Sequence, residues 1–153
     1  APPAINCRHE LTRMPVRCPS LAAIRRASAG ESPDGAVQLL FVREGGRVGL
    51  VQRPTETANG ADQFFARYLE RMITDVAAPG VLVAVHREDG RPAHTDRRLW
   101  TMLKERLEPS PTTLLDLVAI GTDQVWSAKR GGPLKPPRRR RSARKSASRA
   151  AAR

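Results

Sequence analysis

The sequence has few aromatic residues, few cysteines and no long apolar run. Aromatic side chains make up 4% of the 153 residues, so a core must be built mainly from aliphatic side chains. The two cysteines, Cys7 and Cys18, lie close together near the start and form no Cys-x-x-Cys pair, which argues against a disulfide framework. Since no stretch of about eighteen apolar residues occurs, we expect a cytoplasmic protein that has no membrane partner.

Two common catalytic motifs are also missing. The chain contains no Gly-x-Ser-x-Gly nucleophile motif and no glycine-rich phosphate-binding loop. The first absence argues against a serine hydrolase with a nucleophile elbow. The second argues against a nucleotide-hydrolysing enzyme with a glycine-rich phosphate-binding loop.

Acidic residues are absent from the end of the chain, although the net charge of the whole sequence is +12. Nine of the 27 Lys and Arg residues lie in residues 135–153, where no Asp or Glu occurs. The preceding 134 residues carry 18 basic and 15 acidic residues, a net charge of only +3. The basic character of the protein therefore belongs to a C-terminal arm, and a cationic face spread over the fold is not expected.

This basic tail consists of Arg, Lys, Ser, Ala and Pro, and it has no large apolar residue that could offset the entropy of ordering. We therefore expect it to be disordered and to attract nucleic acid or another polyanion by counterion release. A tail that merely keeps the protein in solution is the alternative. The predicted nucleic-acid-binding residues are Arg138, Arg139, Arg140, Arg141, Arg144, Lys145 and Arg149.

The middle of the chain alternates between strand and helix patterns. Apolar and β-branched runs predict strands, and apolar residues spaced by one and three predict helices. The uninterrupted apolar run 81–85 is typical of a strand buried on both faces, so we expect it at the centre of the sheet. The predicted elements are strands 37–42 and 48–52, helix 61–76, strand 81–85, helix 95–108, and strands 114–120 and 124–128.

The predicted fold is therefore an α/β (α+β) domain with a single mixed sheet in the order β-β-α-β-α-β-β. We divide the chain into a mostly irregular N-terminal segment, residues 1–33, a folded domain, residues 34–130, and the disordered cationic tail, residues 131–153. Within the first segment only residues 21–29 favour a short helix. Because Met14 opens a more protein-like stretch, we expect residues 1–13 to be dispensable.

The stretch 81–129 resembles the core of RadC-type JAB domains, the bacterial branch of the JAB/MPN metalloprotease-like fold, whose core is cytidine-deaminase-like. It reads Val-Leu-Val-Ala-Val-His, Arg-Glu-Asp-Gly-Arg and Pro-Ala-His-Thr-Asp, then after a helix Leu-Leu-Asp-Leu, Gly-Thr-Asp-Gln and Val-Trp-Ser. The upstream hairpin and long helix also follow the family's order of elements, so the resemblance covers roughly residues 36–130.

In that family two His and one Asp hold zinc, and the resemblance implies matching positions here. His86 matches the first His and Asp96 the Asp, but Glu88 stands at the second His and Ala93 at a Ser. The family's upstream general base has no clear match in this sequence. The candidates are Glu44, Glu56 and Asp62. The incomplete motif favours a protein that is not an enzyme and has no cofactor.

The residue types themselves leave a metal site open. His86, Glu88, His94 and Asp96 lie close together in sequence, and zinc accepts imidazole and carboxylate ligands. Exposed loop histidines and a helix-capping Asp96 explain the same pattern without a metal. We therefore predict a degenerate, non-catalytic domain with a nucleic-acid-attracting tail; the alternatives are a metal-dependent hydrolase using His86 and Asp96 with Glu88 or His94, and a protein–protein adaptor.

Overall fold

The computed structural model describes residues 16–60 and 62–135, which contain one six-stranded sheet and three α-helices. Two 3₁₀ turns, Glu44–Gly46 and Ala58–Gly60, connect elements of the first half. In chain order the elements are α1 Leu21–Ala27, β1 Val37–Val42, β2 Val48–Gln52, α2 Gln63–Val76, β3 Gly80–His86, α3 His94–Leu107, β4 Thr113–Ile120, β5 Val125–Ser127 and β6 Gly132–Pro133.

The sheet is mixed, and its strands lie in the order β2-β1-β3-β4-β5-β6. Strands β3 and β4 run parallel, and all other neighbouring pairs are antiparallel. Every residue of β3 is buried, including Val83, which is fully shielded from solvent. This confirms the predicted mixed sheet with the 81–85 run at its centre, because only a strand covered on both faces can be apolar throughout.

The predicted order of elements was incomplete at both ends. Helix α1 precedes the first strand and begins after Ser20, whose Oγ accepts a hydrogen bond from Ala23 N at 3.1 Å. The short strand β6 follows β5, beyond residue 130. The short helix favoured at 21–29 is thus confirmed as Leu21–Ala27, although it was left out of the predicted order, whereas β6, of only two residues, was not predicted.

Helices cover both faces of the sheet. Helices α2 and α3 bury Leu69, Ile73, Leu99 and Leu103 against one face. Helix α1 covers the opposite face, where the fully buried Ile24 joins side chains of β1, β3, β4 and β5. The helix in the predicted irregular segment is therefore part of the folded body.

Helix α2 buries one narrow stripe of side chains. The helix begins at Gln63 because Asp62 caps it, with Oδ1 accepting from Phe65 N at 3.1 Å. Phe65 is buried, whereas Phe64 is 78% exposed and Tyr68 is 38% exposed. Phe64 is exposed because it lies on the opposite side of the helix from the stripe formed by Phe65, Ala66, Leu69 and Ile73.

Several sequence predictions concern parts of the chain that lie outside the described residues. These are the dispensable segment 1–13, Cys7, and the predicted nucleic-acid-binding residues Arg138, Arg139, Arg140, Arg141, Arg144, Lys145 and Arg149. In the part that is described, no helix is long and apolar enough to cross a membrane.

Candidate functional site

A crevice opens where the parallel strands β3 and β4 end. His86 closes β3 and Ile120 closes β4, so their carboxyl ends meet at the same edge of the sheet. The crevice has a volume of about 400 Å³ and is also lined by the end of α1 and the loop that follows it. Crevices at the carboxyl ends of parallel strands are common ligand sites in α/β proteins. The predicted residues His86 and Glu88 both line it.

Arg87 is the most extensively bonded side chain at this edge. Its Nε donates to Asp96 Oδ2 at 2.8 Å and its Nη2 to Asp96 Oδ1 at 2.6 Å, a two-point ion pair. Its Nη1 donates to Asn59 Oδ1 at 2.6 Å and to Asp34 Oδ2 at 3.2 Å. Arg87 is nearly buried and Asp96 is fully buried, so water stabilises neither charge well. Each charge is instead stabilised by its partner in the ion pair. The guanidinium thereby joins the end of β3, the start of α3 and the two loops that hold Asp34 and Asn59.

Asp96 has a second role at the start of α3. Ala93 precedes the helix and has no side-chain acceptor for the first free N–H groups. Asp96 Oδ2 accepts from Ala93 N at 2.8 Å, so it satisfies the backbone at the helix start. The helix-capping explanation that the sequence offered for Asp96 therefore matches its position here.

His86 is held by a different set of contacts. The amide of Gln38, oriented to match its neighbours, donates to His86 Nε2 at 2.8 Å and accepts from Nε and Nη2 of Arg53 at 3.0 Å. Burial lowers the pKa of His86, and the positive charge of Arg53 lowers it further. The ring is therefore neutral near pH 7, with Nε2 as an acceptor.

The four predicted metal ligands have separate environments. Glu88 is exposed, and its backbone N–H donates to Asp34 Oδ1 at 3.3 Å. His94 is exposed at the first turn of α3 and lines a different surface depression. Within residues 16–60 and 62–135, no group of three or more His, Cys, Asp or Glu side chains is placed to hold a metal ion. The structure therefore does not bring His86, Glu88, His94 and Asp96 together as one set of ligands.

Two buried polar groups were not assigned roles from the sequence. One is Arg87, which follows His86 at the end of β3, and no local sequence signal shows that it is buried. The other is the pair Asp116 and Ser127 on β4 and β5, both of which are buried. Asp116 accepts hydrogen bonds from Ser127 Oγ, from Leu117 N at 2.8 Å and from Lys129 N at 3.0 Å. The signal for this pair was an Asp inside an otherwise apolar strand.

Burial raises the pKa of Asp116, although its three hydrogen-bond donors and the charge of Lys129 oppose the shift. The folded protein therefore keeps this proton to a higher pH than the unfolded chain does. It follows that the contribution of Asp116 to stability is greatest at low pH and declines as the pH rises through the folded-state pKa.

We expect Asp116→Asn, which cannot titrate, to lose this dependence. Urea unfolding between about pH 3 and pH 7 should show wild type gaining stability relative to the variant as the pH falls. The exposed Asp75 provides a matched control, since Asp75→Asn should leave the profile of wild type nearly unchanged. Parallel profiles for wild type and Asp116→Asn would contradict the expectation.

Comparison with known proteins identifies no family for this chain. No protein-family model matches the chain, and a search of curated proteins finds no match. The resemblance to RadC-type JAB domains therefore rests on the residues of this sequence alone.

Proposed function

We propose that this chain is a non-catalytic, RadC-like JAB domain that associates with nucleic acid through its basic C-terminal tail. The observation that carries the non-catalytic part is the Arg87–Asp96 ion pair. Asp96 stands where the family has an aspartate ligand, and here both of its carboxylate oxygens bind the guanidinium of Arg87. A metal ion at Asp96 would have to displace a cation that is already paired in a buried position.

The order of the elements supports the family part of the proposal. A hairpin of β1 and β2, the long helix α2, the central strand β3 and the helix α3 precede β4 and the short β5. The resemblance implies this same succession. The β3–α3–β4 segment also places His86 and Asp96, the two positions that match the family's ligands, at the end of β3 and the start of α3.

The charge distribution supports association with nucleic acid. Residues 135–153 carry nine positive charges and no acid, whereas the preceding 134 residues have a net charge of only +3. Attraction to phosphate needs only positive charge and released counterions, so it requires no folded interface. The experiment that tests this proposal is DNA binding by the full chain and by a chain whose tail cations have been neutralised.

The alternative of a metal-dependent hydrolase predicts a different metal content. We expect protein purified without added metal to contain far less than one zinc per chain, and His86→Ala to leave that content unchanged. Metal analysis by mass spectrometry measures this directly. Stoichiometric zinc that is lost in His86→Ala would instead support a site formed by His86 and Asp96 with Glu88 or His94.

A further inference from the structure

A second, larger groove lies between α1 and the edge strand β2, on a different part of the surface from the crevice at His86. Its volume is about 800 Å³. Its charged lining residues are Arg17, Arg26 and Arg47, and no acidic residue lines it. A groove with charges of one sign favours ligands of the opposite sign.

The three arginines are available to a ligand. All three are exposed, and none has a carboxylate within ion-pair distance among the residues that the structure describes. This distinguishes them from Arg87 and Arg106, whose guanidinium groups are paired with acids. A ligand carboxylate would therefore meet cations that have no competing partner within the described part of the fold.

Strand β2 supplies the other half of the groove. It is the outermost strand of the sheet and has no strand partner on its outer side within residues 16–60 and 62–135. Val48 and Val51 are half-buried against the α1 side of the core, and Leu50 is 45% exposed. An edge strand beside apolar side chains can accept a further strand through its free N–H and C=O groups.

We propose that this groove binds an extended segment of a partner protein, in which acidic residues alternate with apolar ones. The segment would add a strand to β2, direct its carboxylates to the arginines on the α1 side of the sheet, and place its apolar side chains on the opposite side, beside the exposed Leu50. Alternation is required because successive side chains of a strand point to opposite sides.

The same features disfavour other occupants. A second copy of this chain that packs on the groove by two-fold symmetry would bring its own arginines against Arg17, Arg26 and Arg47, and like charges in an interface are unfavourable. The groove is lined by no aromatic side chain on which the bases of single-stranded nucleic acid could stack. The protein's own tail has the same charge as the groove. An acidic strand is the occupant that satisfies both the charge and the free strand edge.

The test uses the full-length chain and fluorescent peptides of about ten residues, a typical upper strand length. One peptide alternates Glu with Val, and a second has the same sequence but carries N-methyl groups on alternate amides. The basic tail attracts both equally, because their charges are identical, whereas only the first can form all the hydrogen bonds of a strand. We expect anisotropy titrations to show at least about tenfold tighter binding of the unmethylated peptide.

The variant Arg17→Glu/Arg26→Glu/Arg47→Glu should weaken binding of the unmethylated peptide by about tenfold or more, because three attractive contacts become repulsive. The matched control is Arg67→Glu/Arg71→Glu/Arg98→Glu, which makes the same charge change at exposed positions of α2 and α3. It should change the affinity by less than about twofold. Circular dichroism of both variants checks that the fold is retained.

Four results would overturn the proposal. The first two are equal affinity for the methylated and unmethylated peptides, and equal losses of affinity in the groove and control variants. The third is duplex DNA that binds at the groove in preference to the peptide. The fourth is a dimer of the protein that dissociates when the groove arginines are substituted. A fifth contradicting result is peptide binding that appears only after residues 1–15 are removed, because it would make the chain's own N-terminal segment the occupant.

Discussion

Replacing Arg87 by Met is expected to lower the free energy of unfolding by about 3–5 kcal/mol, because it leaves the carboxylate of Asp96 buried without its cation. The methionine has a similar length but no donors, so both hydrogen bonds to Asp96 are lost. The bonds to Asn59 and Asp34 are lost with them. Urea unfolding followed by circular dichroism measures the change.

The double variant Arg87→Met/Asp96→Leu separates two contributions to the free energy of unfolding. One is the net stabilisation by the ion pair, and the other is the cost of leaving Asp96 buried without a partner. We expect it to be more stable than Arg87→Met alone, since no unpaired charge remains in the core. Recovery should be incomplete by about 1 kcal/mol, because Asp96 also accepts the hydrogen bond from Ala93 N.

Arg106 provides a matched control for Arg87. Its Nη1 pairs with Glu70 at 2.9 Å, but both side chains are partly exposed, so Arg106→Met should cost only about 1 kcal/mol or less. If Arg87→Met were no more destabilising than Arg106→Met, the buried pair would not hold this edge of the sheet together. Asp96 would then not depend energetically on Arg87, and a metal ion could displace the guanidinium at little cost.

Neutralising the tail is expected to weaken non-specific DNA binding by about a hundredfold or more at low salt. The change is Lys or Arg to Gln at the seven predicted residues, Arg138, Arg139, Arg140, Arg141, Arg144, Lys145 and Arg149. These seven positions carry more than half of the net charge of +12, and the 134 residues before the tail have a net charge of only +3. The remaining protein therefore has little net attraction for phosphate. Anisotropy titration with a labelled duplex measures the loss.

Salt dependence gives an independent measure of the same contacts. For the full chain, the logarithm of the binding constant should fall with the logarithm of salt concentration with a slope of about −0.9 for each phosphate contact. The neutralised variant should show a much shallower slope, because only Lys135 and Arg153 of the tail cations remain. Gln substitutions at Arg67, Arg71 and Arg98, which are exposed on the folded body, should change the slope by less than one contact.

The melting temperature tests the other half of the tail prediction. A segment without large apolar residues buries little surface, so neutralising or removing residues 135–153 should leave the melting temperature nearly unchanged. Undiminished DNA affinity in the neutralised variant would place the binding surface on the folded body. A large fall in melting temperature would show that the tail packs against the fold.

Much of the fold could be predicted from the sequence because its signals are local. The run 81–85 is apolar at every position, which only a strand covered on both faces tolerates, and β3 is central. The spacing of Leu99, Leu103 and Leu107 defines one face of α3, and all three are buried. The Gly-Gly pair at 45–46 marks the hairpin turn, since both glycines have positive φ.

The candidate site was less predictable, because its partners are far apart in sequence. The pattern identified His86 and Asp96 as noteworthy, but nothing local shows that the Arg87 between them turns inward. Its burial depends on Asp34 and Asn59, which reach it from other loops. The burial of Ile24 likewise depends on a sheet face formed by residues far along the chain.

By itself, the sequence determined the mixed sheet, its central strand, the two long helices and the concentration of charge in residues 135–153. Periodicity and composition are properties of short stretches, so they can be read without knowing what lies nearby. Only the tertiary structure decided that Asp96 binds Arg87, that α1 covers the second face, and that three arginines without acidic partners in the described residues line one groove beside β2. Those features depend on which distant side chains share a small volume, and the free energy of burying or pairing a charge is set by that shared environment.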